Sequence, residues 1–421
     1  MKDNSIHAFI YAIGGVIFLF LLHHLPVNQI FIDPFSEAIK NHDIMDIAFS
    51  KFRNHNDPSL FDSRIVIINS RITNREEVAK TIQFINRQQA AVIGVDLLFD
   101  TVYYNRQDTL LRDAFLACKQ LVLGSTFAES LNKSESTLEF HSDSFFSKNT
   151  VQAYVNLGTN DGYSVRAFEP YHKINGIEKM AFAMQIATMY NPEISQISHL
   201  KAHTKEWINF KRLQPGEQNM RPPINSKHAV HYVMLQINDV LNDTTQFDSM
   251  YFKNKIVLIG FCGENENSLS MKDRYFTPLN EQYTGRSIPD MHGVIIHANI
   301  LSMILDQDFI FDIPETIIYL LSIFIFFINY FVFKKMAPKD YFRSIPYIRV
   351  IQIIEFFALL GICLSLLLFG NIKLGFIFLT TTIIISYELY ELYEHKLKSY
   401  PDTYIQMVRD WLERNSFTKR I

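Results

Sequence analysis

Apolar and polar positions follow three rhythms along this chain. The first is a series of short unbroken apolar runs bounded by charged residues or glycine: RIVIIN (Arg64–Asn69), AVIGV (Ala91–Val95) and KIVLIG (Lys255–Gly260). Runs of this kind mark strands buried on both faces, as in a parallel sheet. The second rhythm is helical. Thr73 or Asn74 caps a helix with Glu76 and Glu77 in its first turn, and Val78, Ala79, Ile82 and Ile85 form its apolar stripe. Further helices are predicted over Thr109–Lys119, over Glu178–Tyr190 before Pro192, and over Gly293–Leu305. Leu121–Leu123 and His231–Gln236 read as strands, and Ile237–Leu241 as a short helical turn. Val151–Leu157 and Tyr163–Phe168 read as a hairpin about Asn160-Asp161-Gly162. Ser130–Asn149 and Ser195–Ser226 are polar and read as loop and surface excursion. Strands alternating with helices predict an α/β fold, a mostly parallel sheet with helices on both faces.

The third rhythm is longer. Ala8–Leu22, Ile313–Phe333, Ile348–Phe369 and Leu374–Tyr387 are apolar runs that predict four transmembrane α-helices. The first run competes with a signal peptide, but HHLPVNQIF after it holds no small-x-small cleavage site, which favours a retained anchor. Lys334, Lys335, Lys339, Arg343 and Arg349 follow the second run, and Lys396, Lys398, Arg409, Arg414, Lys419 and Arg420 follow the fourth. Basic loops stay in the cytoplasm. The chain therefore divides into an anchor (1–25), an extracytoplasmic domain (26–312), three further spans (313–393) and a short cytoplasmic tail (394–421). Glu355 falls inside the third span, where an acid marks either a functional site or a bond to a neighbouring span, for instance to Asn329 or Ser322. In the tail, Pro401 is expected to interrupt the helix, and Ile405, Val408, Trp411 and Leu412 share one face beyond it.

Composition changes this picture little. A formal net charge of −3 over 421 residues argues against a nucleic-acid partner. Cys118 and Cys262 are either bridged or free thiols, a choice that spacing does not make. Candidate chemistry gathers at strand ends. Asp96 and Asp100 follow the second strand, and Asp273 lies in the loop after KIVLIG, so these carboxylates either converge on a cation or hydroxylated ligand or cap local turns. Gly260 and Gly263 lack the residues of a nucleotide loop. His292 and His297 are five apart, without an HExxH motif, and no GxSxG occurs. A hydrolase built on either histidine is the weakest reading; no catalytic role, cofactor or metal site is expected.

RIVIINS (Arg64–Ser70), VIGVDLLFD (Val92–Asp100), NLGTNDGYSVR (Asn156–Arg166), KIVLIG (Lys255–Gly260), DRYFTP (Asp273–Pro278) and MHGVIIHANILSMIL (Met291–Leu305) together resemble the CHASE2 family of bacterial extracytoplasmic sensor domains. The plan of one span before the domain and three after it is similar as well. The resemblance implies a multi-pass inner-membrane receptor with its main domain in the periplasm, binding a small-molecule or protein ligand. Candidate pocket residues are Asp96, Asp100, Asp161, Arg166, Asp273 and Thr277, with Arg166 facing either a ligand acid or Asp161. Two departures stand out. The family often has acidic residues after its first strand, where this chain has Asn69 and Ser70. Its members commonly feed a cytoplasmic cyclase or kinase, whereas a tail of about thirty residues is too short for a domain of ~50 or more. Signal output is then expected from a separate effector protein, and paired helices make a homo-oligomer the expected form. The alternative is a structural subunit of an envelope complex, docking a protein.

Overall fold

The computed structural model describes residues 2–24, 43–71, 74–128, 138–148, 150–158, 164–202, 205–213, 231–242, 247, 250–264, 272–280, 288–336, 341–403 and 406–407. The chain forms two compact units: residues 40–310, and residues 1–39 with 311–421.

The 40–310 unit is built on seven strands: β1 (Ile65–Asn69), β2 (Val92–Asp96), β3 (Leu121–Ala128), β4 (Leu138–Phe140), β5 (Val151–Tyr154), β6 (Val233–Gln236) and β7 (Ile256–Gly260). Along the sheet the order is β6-β1-β7-β2-β3-β4, and β5 also pairs with β3. All pairings are parallel except β3 with β4. β1 and β7 are buried at every position, as expected of strands covered from both sides.

Successive side chains point to opposite faces, and each face has its own helices. Val66, Ile68, Ile93, Val95, Val257 and Ile259 pack with α2 (Arg75–Arg87) and α3 (Arg106–Ala117), through Val78, Ile82, Ile85, Leu111 and Phe115. Asn74 caps α2 by accepting from the Glu77 N–H at 2.9 Å, and Asn105 caps α3 by accepting from that of Asp108. The opposite face holds α4 (Phe182–Tyr190) and α5 (Gly293–Asp306). Gly94, in the middle of β2, lies under α4: a Cβ there would stand 2.5 Å from Ile186 Cδ1 and 2.9 Å from Phe182 Cζ. The glycine inside a strand is thus a place where a helix comes close. α5 is buried along nearly its whole length, with Val294, Ile295, Ala298, Leu301 and Ile304 all inside.

Two expectations need correction. Residues 151–168 do not pair with each other among the described residues: β5 joins β3, while Ala167–Phe168 pairs antiparallel with Glu206–Trp207. The turn at 160–162 lies outside the described residues. The hairpin sits further on, where Tyr171–Ile174 pairs with Ile177–Met180 about Asn175-Gly176, both at positive φ. Asn-Gly is the standard signal of such a turn, and it moves the start of α4 from 178 to Phe182.

The 1–39 and 311–421 unit is helical. α1 (Lys2–His24), α6 (Glu315–Met336) and α7 (Tyr341–Gly370) are each long and apolar enough to cross a membrane. α8 (Phe376–Leu392) is also apolar, but at 17 residues it is ~26 Å long by itself; the helical path continues through a wider turn at Tyr393–Leu397. α1 meets α6 through Gly15, whose Cβ position would be 2.9 Å from the Phe326 ring. Tyr11, Phe326, Tyr330, Phe333, Tyr387, Tyr390 and Tyr393 pack as one aromatic cluster. Polar side chains join the helices within it. Tyr11 Oη donates to the Ser386 carbonyl at 2.5 Å, and Asn329 Nδ2 donates to Glu355 Oε2 at 3.2 Å and to Ser386 Oγ at 3.3 Å. Glu355 therefore has the inter-helix partner Asn329. Pro401 does not end the path: the turn at Lys398 precedes it, and residues 399–403 are helical. Proline is accepted in a helix's first turn. The amphipathic stretch beyond it lies largely outside the described residues.

Substituting Gly94 by leucine should push α4 from the sheet and cost about 1–3 kcal/mol. Thermal unfolding of the detergent-solubilised full chain checks this, with Gly158→Ala, where a Cβ meets nothing within 4 Å, as the neutral control.

Candidate functional site

The parallel strands end together, and their carboxyl ends carry the polar chemistry. Asn69 closes β1. Its Nδ2 donates to Gln236 Oε1 of β6 at 3.0 Å and to the Gly263 carbonyl at 3.1 Å, while its Oδ1 accepts from the N–H groups of Cys262 and Arg71. An amide can fill all four roles; a carboxylate has no proton for the first two. Asn69 is therefore a clip holding the loops after β1 and β7. Arg71 follows in the left-handed region at φ +49°, its Nε donating to Gln236 Oε1 at 2.7 Å.

Next to this clip opens a cleft of about 560 Å³, lined by Ser70, Arg71, Asp96, Phe99, Lys272 and Asp273 among others. Asp96 ends β2 and sits level with Gly260 of β7. Asp273 is at φ +53°, and its carbonyl accepts from the N–H of Gly293, the first residue of α5, at 3.1 Å. A Cβ on Gly293 would lie 2.9 Å from Asp273 Oδ1, and one on Gly260 would lie 2.8 Å from Val294 Cβ. The two glycines let the carboxylates and the helix start come together on the sheet edge. Asp96 is half-buried and accepts no hydrogen bond among the described residues. Burial, reinforced by the charge of Asp273, pushes its carboxyl up to about 8. Burial also raises Asp273, to about 6, against the pull of the Tyr275 hydroxyl, the Gly293 N–H and Lys272. Ligands bind beyond the carboxyl ends of strands in open α/β sheets, and strongly perturbed acids in such a cleft make it the candidate site.

The other sequence candidates lie elsewhere. Asp100 is exposed, with its Oδ1 accepting from Thr101 Oγ1 at 3.1 Å. Arg166 is buried and makes a two-pronged bond to Asp46, at 2.9 and 2.8 Å. Asp161 lies outside the described residues. Thr277 donates its N–H and hydroxyl to Asp290 at 2.9 and 2.5 Å, fastening the loop before α5. Only Asp96 and Asp273 of the six line the cleft together. Sequence reasoning did not single out Arg71 and Lys272, although Arg71 lies two residues past β1 and Lys272 directly precedes Asp273. Arg75 also borders the cleft, but its Nη1 is held by the buried Asp108 at 2.5 Å and its Nη2 by the Thr101 carbonyl.

A model of the CHASE2 domain matches residues 28–331. The chain belongs to the CHASE2 family. No curated protein and no solved structure matches it. CHASE2 is a family of sensor domains, and with three helices apt to cross a membrane this CHASE2 protein is a membrane protein. His292 and His297 are buried against Phe261 and Phe182, and burial lowers both to about 4. Among the described residues no three His, Cys, Asp or Glu side chains are grouped to hold a metal. Cys118 and Cys262 are free thiols.

The raised carboxyls set a pH dependence. Asp96 and Asp273 bind protons more tightly folded than unfolded, so their stabilising contribution is complete below about pH 4 and is lost as pH rises through 6 and then 8. His231, His292 and His297, held at about 4, work the other way, and only below their ordinary 6.5. From roughly pH 6.5 to 8.5 the melting temperature of the full chain should therefore fall, and in Asp96→Asn it should stay nearly level. A wild-type curve that is flat or rising over this window contradicts the assignment.

Proposed function

We propose that this CHASE2 protein is a receptor subunit of a bacterial inner membrane, binding a ligand outside the cytoplasm in the Asp96–Asp273 cleft. Its helices pass the resulting change to a separate effector protein inside the cell. The observation that carries the reading is the cleft itself: an opening of small-molecule size at the carboxyl edge of a parallel sheet, with a carboxylate that accepts no hydrogen bond among the described residues.

The helical unit supports the orientation. Phe311–Asp312, just before α6, pairs with Ile372–Lys373 between α7 and α8, so these segments share one end of the bundle. At the other end Lys334 Nζ donates to Asn4 Oδ1 at 2.8 Å, and Arg349 pairs with Glu388 at 2.5 Å. Lys334, Lys335, Arg349, Lys396 and Lys398 belong to that second end, the one the positive-inside rule assigns to the cytoplasm. The 40–310 unit is joined to the first end through Phe311, which favours an extracytoplasmic position.

Two measurements test the proposal. A reporter enzyme active only outside the cytoplasm should work when fused after residue 150 and stay silent when fused after Ile421; the reverse pattern removes the receptor topology. Screening the full chain against a small-molecule library should find a compound that raises its melting temperature but leaves Asp96→Asn unmoved. Lack of any such compound, together with stoichiometric co-purification of other envelope proteins, favours a structural subunit instead.

A further inference from the structure

We propose that the cleft accepts a small zwitterion, its ammonium seated between Asp96 and Asp273 and its acid group against Arg71 and Lys272. The inference rests on the cleft being the ligand site and adds the chemistry of what enters it.

Asp96 is the starting point. A carboxylate that is largely withdrawn from water and accepts no hydrogen bond is costly. Its neighbours do not relieve the cost. Asp273 repels it, Tyr275 donates to Asp273, and the Cys262 thiol is buried. The one lining arginine close to a full set of protein partners is Arg75, which Asp108 and Thr101 hold in place. The unmet need is therefore for a donor with positive charge, placed where it meets both acids. An ammonium carries three such protons.

The opposite need is present in the same cleft. Arg71 uses Nε on Gln236, while its two terminal nitrogens carry no hydrogen bond among the described residues. Its backbone, in the left-handed region that non-glycine residues rarely adopt, turns the chain at the mouth of the cleft. Lys272 is exposed, its ammonium 5.3 Å above the Phe261 ring. β1 and β2 are separated by β7 alone, so the ends bearing Arg71 and Asp96 are about 10 Å apart at ~4.8 Å per strand. A molecule with its two charges several bonds apart spans that distance. A cation alone leaves Arg71 unanswered, and an anion alone leaves the acids unanswered.

Binding has a proton signature. Among the described residues, the titratable and charged groups facing the ammonium position are Asp96, Asp273, Lys272, Tyr275, Cys262, Arg71 and Arg75. The raised carboxyls of Asp96 and Asp273 change state near neutrality. In the empty cleft the pair holds a proton at pH 7; an ammonium between them displaces it, so binding releases close to one proton per ligand.

The test is titration calorimetry of the detergent-solubilised full chain at pH 7, in two buffers of different ionisation enthalpy. The probes are γ-aminobutyrate, 6-aminohexanoate and diglycine, with butylamine and butyrate as single-charge controls. At least one zwitterion should bind at least tenfold more tightly than either control, with release of about one proton. Asp96→Asn should weaken binding tenfold or more and abolish the proton release. Arg71→Gln should weaken it similarly and keep the release. A cooperative thermal transition of Asp96→Asn, nearly level from pH 6.5 to 8.5, confirms that this variant is folded. Tighter binding of butylamine or butyrate, or no binding by any probe, overturns the zwitterion. If a library compound still raises the melting temperature of the wild type but not of Asp96→Asn, the cleft survives as ligand site. Zwitterion binding that neither variant weakens overturns the cleft as well.

Discussion

A parallel sheet covered by helices on both faces has nowhere to keep charge except its ends. In this protein every residue of β1 and β7 is buried, so the strands contribute only apolar side chains until they emerge at their carboxyl edge. There the apolar side chains give way to polar ones, and Asn69, Gln236, Asp96 and the loop after Gly260 meet. The cleft is a consequence of this layering: the helices seal the faces, and the loops that connect strand to helix surround one open edge.

What makes that edge a site and not a simple loop junction is close approach. Gly260 and Gly293 remove the two Cβ atoms that would hold α5 away from β7 and from Asp273. The start of α5 then sits down on the sheet beside two acids, neither of which a protein cation neutralises by direct ion pairing among the described residues. Asn69 is consumed in holding the loops after β1 and β7 to each other and to the end of β6.

The helical unit solves a different problem. Apolar helices in an apolar solvent gain little from burying each other, so small residues and buried polar bonds supply the contacts. Gly15 brings α1 against Phe326, and Tyr11, Asn329, Glu355 and Ser386 join α1, α6, α7 and α8 through side chains. Ser386 is the meeting point of this network, and the bond from Asn329 gives Glu355 a defined partner. A shift of one helix must then break bonds to the others, the property a helix bundle needs in order to move as a unit.

Much of this was legible in the chain. The runs RIVIIN, AVIGV and KIVLIG had to be buried strands, because unbroken apolar residues cannot face water on alternate positions. Asn74 and Glu76-Glu77 marked a helix start, and long apolar segments marked the membrane helices. Asp96 and Asp273 were candidates from their places after strands. Local pattern also misled: Asn160-Asp161-Gly162 looked like a hairpin turn, but the strand before it pairs with β3, and Asn175-Gly176 makes the hairpin instead. Arg166 and Thr277 looked like pocket residues, and Asp46 and Asp290, distant in sequence, hold them. Sequence determines which segments are strands, helices and spans, since periodicity and turn chemistry are local. Only the tertiary structure decides which polar groups meet, since strand order inserts β7 between β1 and β2 and so chooses the neighbours of Asp96.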